Sequence, residues 1–213
     1  MRTDALLRIA REIIAKVPAC MAITVDGNGD ANARVVNPHP LSETWTVRFP
    51  TDRRSRKSAE IEQSGRLTLA YQDAGKAYVS LIGRAAICED VAVKTASWNA
   101  AADKWFPGGP TDPNVVHVDF FAERIELWST SEGVVPDPVR GLWAAALMRE
   151  ESGWVQSTTF PRIINPGRGL ALWSERHVRR SQRPQCFADR SPWLTNAHMS
   201  SNDQLLDIAP RPS

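Results

Sequence analysis

At 213 residues the chain is long enough for one domain with a substantial core and an additional segment. Its 42% hydrophobic and 23% charged residues suit a globular protein in water, and its longest apolar runs are too short to cross a bilayer. The net charge of +2 is uneven: residues 1–156 hold 18 Lys and Arg against 20 Asp and Glu, and residues 157–213 hold 8 against 4, so the body lacks the basic footprint of a nucleic-acid binder.

Cys20, Cys88 and Cys186 are too few and too scattered for a disulfide framework. Neither they nor the four histidines show zinc spacing, so no metal site is expected. The first 16 residues carry Asp4 and Glu12 inside an amphipathic pattern and have no signal-peptide core, which makes a cytoplasmic location the expectation.

Residues 4–16 place Leu6, Leu7, Ile9, Ile13 and Ile14 on one helical stripe, which Pro18 terminates. Residues 19–25 and 32–37 read as strands joined by the turn Asp26-Gly27-Asn28-Gly29-Asp30. Pro38-His39-Pro40 interrupts the second strand, and residues 44–49 alternate as a third. Residues 53–63 predict a helix with Ala59 and Ile61 inward, Glu60 and Glu62 outward, and Gly65 as its stop. Strands follow at 66–71 and 77–88, around the turn Asp73-Ala74-Gly75-Lys76. A helix is expected over 90–104 with Asp90 as N-cap. The rigid loop Trp105-Phe106-Pro107-Gly108-Gly109-Pro110 leads to strands at 115–121 and 124–128. Short antiparallel strands with two or three helices between them predict a mainly β fold, a small barrel with helical flanks. Residues 142–148 and 153–155 are open between one more helix and a hairpin. From about residue 158 periodicity ends and Pro, Arg, Ser, Asn and Gln dominate. The expectation is a folded domain over 1–156 and a disordered extension over 157–213.

The chemistry concentrates in Thr51-Asp52-Arg53-Arg54-Ser55-Arg56-Lys57, which brings two hydroxyls and four cations together where a strand hands over to a helix. A helix start offers unpaired N–H groups and a partial positive charge. Hydroxyls, Arg and Lys added there make a seat for a phosphate dianion. In this reading Thr51, Ser55, Arg56 and Lys57 hold the phosphate and Arg34 reaches it from the neighbouring strand. The residues alone also leave open a plain solvated helix face offset by Glu60 and Glu62. His117 alternates with Val116 and Val118 and reads as a packed strand histidine, whereas His39, between two prolines, is the better candidate for chemistry. Trp98 reads as packing, and the loop of Trp105 belongs near a ligand mouth.

Five pieces then stand in one order. They are Arg34-Val35-Val36-Asn37; the segment from Thr51 through Ser58-Ala59-Glu60-Ile61; the strand pair Leu67-Thr68-Leu69-Ala70-Tyr71 and Tyr78-Val79-Ser80-Leu81-Ile82-Gly83; Trp98-Asn99 with Trp105 to Pro113; and Arg124-Ile125-Glu126-Leu127-Trp128. Over residues 4–156 this resembles the FMN-binding split-barrel family, in its pyridoxamine 5′-phosphate oxidase-like, general-stress-protein branch.

The resemblance implies a six-stranded antiparallel split β-barrel and FMN as cofactor. It places Thr51, Asp52, Ser55, Arg56 and Lys57 in the phosphate segment. It sets Arg34, Val35, Val36 and Asn37 along the flavin's pyrimidine side, with Arg34 as a nearby cation, and adds Tyr71, Gln72 and residues 78–80 as further contacts. A homodimer with FMN at its interface would bring Trp128 towards the partner's flavin, and a nicotinamide would serve as electron donor. The implied activity is that of an oxidoreductase. The alternatives are a non-catalytic flavin-binding stress or carrier protein, or the same barrel holding a deazaflavin or haem. Where the true oxidases hold a second phosphate, this chain has His39 in place of a Lys, the Trp105 loop in place of a Tyr, Arg and Ser set, and Ser129-Thr130-Ser131 after Trp128 in place of an Arg-x-His element. The resemblance therefore implies that the FMN seat is kept and the vitamin B6 seat lost, and pyridoxamine phosphate oxidation is not expected.

Overall fold

A computed structural model gives the fold of residues 1–136, 139 and 144–157. The extension expected to be disordered lies outside the described residues, apart from Ser157. Helix α1 (Thr3–Ala15) buries Leu6, Ile9, Ala10, Ile13 and Ile14, the face set by its apolar spacing, and Asp4 stands in its first turn, where the helix dipole favours a carboxylate. Strands β1 (Cys20–Val25) and β2 (Ala31–Val36) form a hairpin. The Asp26 carboxylate ties its turn by accepting from the backbone N–H groups of Asn28 (2.9 Å) and Asp30 (3.0 Å).

Strand β3 (Thr46–Asp52) runs into α2 (Arg56–Ser64), and β4 (Arg66–Asp73) and β5 (Ala77–Cys88) form the next hairpin. A short helix α3 (Val91–Ala96) and two 3₁₀ turns lead to the long strand β6 (Val115–Ser129), and β7 (Ala145–Glu150) and β8 (Gly153–Ser157) follow. These eight strands make one antiparallel sheet in the order β2-β1-β4-β5-β6-β7-β8, with β3 also paired to β6. Strand β6 is the spine. Along one edge it pairs with β5 over nearly its whole length, and along the other with β3 over Val115–Phe121 and then with β7 over Arg124–Leu127. Phe49, Leu69, Leu81, Phe120, Ile125 and Leu127 are fully buried in the core, which α1 covers on one side.

The split barrel is as expected, but three details differ. The described residues hold eight strands rather than six, because the open segment near the end of the domain forms the β7–β8 hairpin on the free edge of β6. The segments 115–121 and 124–128 are one strand, since a bulge at Glu123, opposite Ile82 and Gly83, bends the pairing without breaking it. The helix expected over 90–104 covers only Val91–Ala96, because Asn99 caps a fresh 3₁₀ turn by accepting from the Ala101 N–H (2.9 Å). Asp90 does cap α3, accepting from the N–H groups of Ala92 and Val93. Among the described residues no helix is long and apolar enough to cross a membrane.

Candidate cofactor site

The handover from β3 to α2 is built as its residue types dictate. Ser55 is the N-cap, its hydroxyl accepting from the Ser58 N–H, and the Ser58 hydroxyl donates back to the Asp52 carbonyl (2.8 Å). The Asp52 carboxylate accepts from the Arg54 N–H (2.7 Å) and from its guanidinium (2.8 and 3.1 Å). These bonds hold its carboxyl down at about 2. Asp52 is thereby neutralised inside the turn. The Lys57 ammonium reaches back one helical turn to donate to the hydroxyl of buried Thr51. Among the described residues no carboxylate lies within ion-pair distance of Lys57. Burial first, and then the charge of Arg34, push Lys57 down to about 8, against a weaker opposing pull from Asp52.

Behind Lys57 stands a buried carboxylate. Glu60, 4% exposed, accepts from Asn32 Nδ2 (2.8 Å), Arg34 Nη2 (3.1 Å) and the Thr24 hydroxyl, and Arg56 Nε lies 3.5 Å away. Arg34 donates also to the Thr24 hydroxyl (2.5 Å) and the Asn32 carbonyl (2.8 Å). Burial raises the Glu60 carboxyl, but the hydrogen bonds from Thr24 and Arg34 outweigh it, and the group is held below the usual carboxylate range. Two of the four expected positions change: Glu60 points inward with Ser58 and Ile61, and Ala59 is exposed, while Ile61 is buried and Glu62 exposed as expected. The hub ties α2 to β1 and β2 and fixes the helix start beside the β2 strand.

A cavity of about 940 Å³ opens beside this cluster. Its wall takes Val35, Val36 and Asn37 from the end of β2, Lys57 from α2 and Tyr71 from β4. Pro38, His39, Pro40 and Leu41 continue it, α1 contributes Arg11 and Ile14, and the loop after α3 contributes Asn99, Trp105 and Phe106. The volume suits a cofactor with a ring system, and the mix of apolar wall and few polar groups is that of a small-molecule site.

A family model described as pyridoxamine 5′-phosphate oxidase like matches residues 7–146. The chain belongs to the pyridoxamine 5′-phosphate oxidase-like family. It is 32% identical over 91 residues to general stress protein 26 of Bacillus subtilis, a match covering 41% of this chain and 64% of that protein, so just under two thirds of the relative is spanned. Among solved structures, general stress protein 26 of Bacillus anthracis superposes with a TM-score of 0.50 at 24% identity, covering 57% of this chain and 92% of the other. A pyridoxamine 5′-phosphate oxidase-related, FMN binding protein of Nostoc punctiforme gives 0.54 at 16% identity, covering 75% and 96%. These likenesses show the split-barrel fold.

Within this family member, the sequence-predicted residues fall into three groups. Val35, Val36, Asn37 and Lys57 line the cavity. Thr51, Ser55, Arg56 and Arg34 adjoin it through Lys57, the helix cap and the Glu60 hub, and Asp52 shapes the turn. Trp128 is not brought to the cavity in one protomer: it packs on Tyr78 at 6.2 Å, and its buried Nε1 has no hydrogen-bond partner. A phosphate fits this set, since Lys57 faces a neutral hydroxyl and has no counter-charge of its own. Sequence reasoning missed Glu60 as the hub, because its spacing from Glu62 made both look solvated. It also missed Arg11, Ile14 and Leu41, which carry no local signal and reach the wall only through the docking of α1.

Proposed function

We propose that this protein binds FMN and acts as an oxidoreductase. The observation that carries the reading is Lys57, a half-buried ammonium on the cavity wall that donates to the Thr51 hydroxyl and has no carboxylate to balance it, at the start of α2. Desolvating a cation without a partner is costly, and an anionic ligand at that point removes the cost. Ser55 holds the helix start open, Thr51 orients Lys57, and Arg56 supplies an exposed second cation. With a phosphate there, Val35, Val36 and Asn37 on the same wall would hold the ring system, and Arg34, paired with Glu60, would fix the strand behind them. Bound FMN supplies a two-electron hydride acceptor and donor. The protein's part is to hold the phosphate, orient the ring and keep water from it. The FMN-binding description of the Nostoc structural relative agrees with this assignment.

The proposal includes a homodimer with the cofactor at its interface, a nicotinamide as electron donor and a cytoplasmic location. The visible absorption spectrum of the purified protein, with mass identification of the ligand released on denaturation, tests it: two flavin bands and released FMN are expected. Replacing both Arg56 and Lys57 by Ala should weaken FMN binding by roughly 100-fold, the loss of about two charge-assisted hydrogen bonds. Unchanged FMN affinity in that variant rejects the seat. Bound FMN that neither NADH nor NADPH reduces would replace the oxidoreductase reading with a non-catalytic carrier, and a different absorbing ligand would replace FMN with a deazaflavin or haem.

A further inference from the structure

We infer that the cavity takes, beside the cofactor, an uncharged planar aromatic molecule whose polar oxygen hydrogen-bonds to His39 and whose ring stacks on Trp105. The inference rests on the FMN reading, because the cofactor phosphate occupies Lys57.

Among the described residues two cations line the cavity, Arg11 and Lys57, and no carboxylate does. The Arg11 guanidinium is already committed to the protein: it donates to the carbonyls of Ser42 (2.9 Å) and Glu43 (2.7 Å) and lies 4.4 Å over the Trp45 ring. The Glu43 carboxylate stands 3.9 Å from the Arg11 guanidinium, and Lys104, 5.2 Å over the Trp105 ring, is exposed to water, so with a phosphate on Lys57 the lining offers no unmatched charge to a second ion. Bringing an ion there would strip its water without a counter-charge, which strongly favours neutral ligands. What remains is flat and apolar. Trp105 is 63% exposed, unusual for so large a ring, and belongs to a Gly- and Pro-rich loop that sets it on the cavity wall beside Phe106.

His39 supplies the directional contact. Its backbone N–H donates to the Arg48 carbonyl (2.8 Å), fixing the residue between its two prolines. Its ring meets that of His117 edge-on at 5.8 Å. His117 is fully buried, with Trp98 stacked on it at 6.3 Å, the Ser97 hydroxyl 3.3 Å from Nδ1, and Nε2 without a partner. The charged groups facing this pair are Arg48, which pairs with Asp119 (2.5 and 3.0 Å), and buried Lys94. Burial first, then Arg48, lower the pKa of His39 against a smaller opposing pull from Asp119, which favours the neutral ring. A neutral imidazole offers one N–H donor and one acceptor, which matches an uncharged oxygen rather than an anion.

The test is calorimetric titration of FMN-saturated protein at pH 7 with 2-naphthol and with 2-naphthyl phosphate, which differ in charge but share a ring system. Naphthol should bind once per chain, and the phosphate at least about tenfold more weakly. His39→Ala and Trp105→Ala, each measured at saturating FMN, should weaken naphthol binding by about three- to tenfold, the loss of one hydrogen bond or one stacking contact. Naphthyl phosphate binding as tightly as naphthol, no naphthol binding, or binding indifferent to both substitutions would each overturn the inference. FMN uptake is measured first and separately. A protein that takes up no FMN fails the cofactor reading, and the dependence of naphthol binding on His39 and Trp105 in that FMN-free protein then decides the aromatic site by itself.

Discussion

Lys57 and Glu60 lie three positions apart on α2 and differ in surroundings: among the described residues the first has no carboxylate at ion-pair distance, and the second is satisfied by Thr24, Asn32 and Arg34. Ligand-free Lys57 loses its proton near pH 8, so above that pH a phosphate must restore the proton as it binds. FMN affinity should therefore be highest between about pH 6.5, where the phosphate is a dianion, and 8, and then fall by up to about tenfold per pH unit. Lys57→Arg should move the fall to higher pH, because a guanidinium stays charged. FMN fluorescence titrations from pH 6.5 to 9.5 read both effects, and a flat profile would remove Lys57 from the seat. Glu60→Ala leaves the Arg34 guanidinium and the amide of Asn32 without their main acceptor. It should destabilise the fold by roughly 2–3 kcal/mol in urea denaturation, since one half of a largely buried pair is left alone. The handover from β3 to α2 was legible in the sequence. The inward turn of Glu60 was not, because a glutamate carries no local sign that Thr24, Asn32 and Arg34 will meet it.

At the scale of elements, the period-two pattern marked β1 to β6 wherever one face of a strand meets the core, and the Gly65 stop and the Asp73–Lys76 turn fell where the chain reverses. Gly65 and Gly75 have φ of 63° and 77°, a region that glycine enters freely. The join within β6 was hidden, because a bulge interrupts alternation just as a turn does. Gly83 makes that join possible: a Cβ at this position would overlap the Phe121 carbonyl and stand 3.0 Å from the Ala122 Cα. Glu123, pushed out by the bulge, accepts from Arg66 (2.6 Å) and Arg84 (2.7 Å) and ties the bend to β4 and β5. Gly83→Ala should therefore cost at least about 2 kcal/mol, as backbone must shift rather than a side chain. A denaturation midpoint equal to that of the parent would show the bend to be more pliable than its geometry. The α3 segment was overextended for a related reason: Ser97 and Asn99 bond to the local backbone and end a helix that alanines would otherwise continue.

For the whole molecule, β1 and β2 form an outer ribbon whose cross-strand neighbours Met21 and Val35 are 37% and 66% exposed. The homodimer proposed above would cover these two adjacent apolar side chains. Sedimentation should give twice the 23.6 kDa of one chain, and Val35→Glu should shift the mass towards one chain. A monomer in the parent protein would remove the dimer and, with it, the interfacial role of Trp128. The sequence by itself determined the mainly β class and the succession of strands through β5, because these follow from local periodicity, caps and turns, while the ordered motifs carried the family by resemblance. Only the tertiary structure decided which groups that chemistry meets: Arg34 with Glu60, His39 with His117, and α1 closing the cavity beside the Trp105 loop. Those contacts join residues far apart in the chain, and their energy comes from burial and desolvation, which no local pattern encodes.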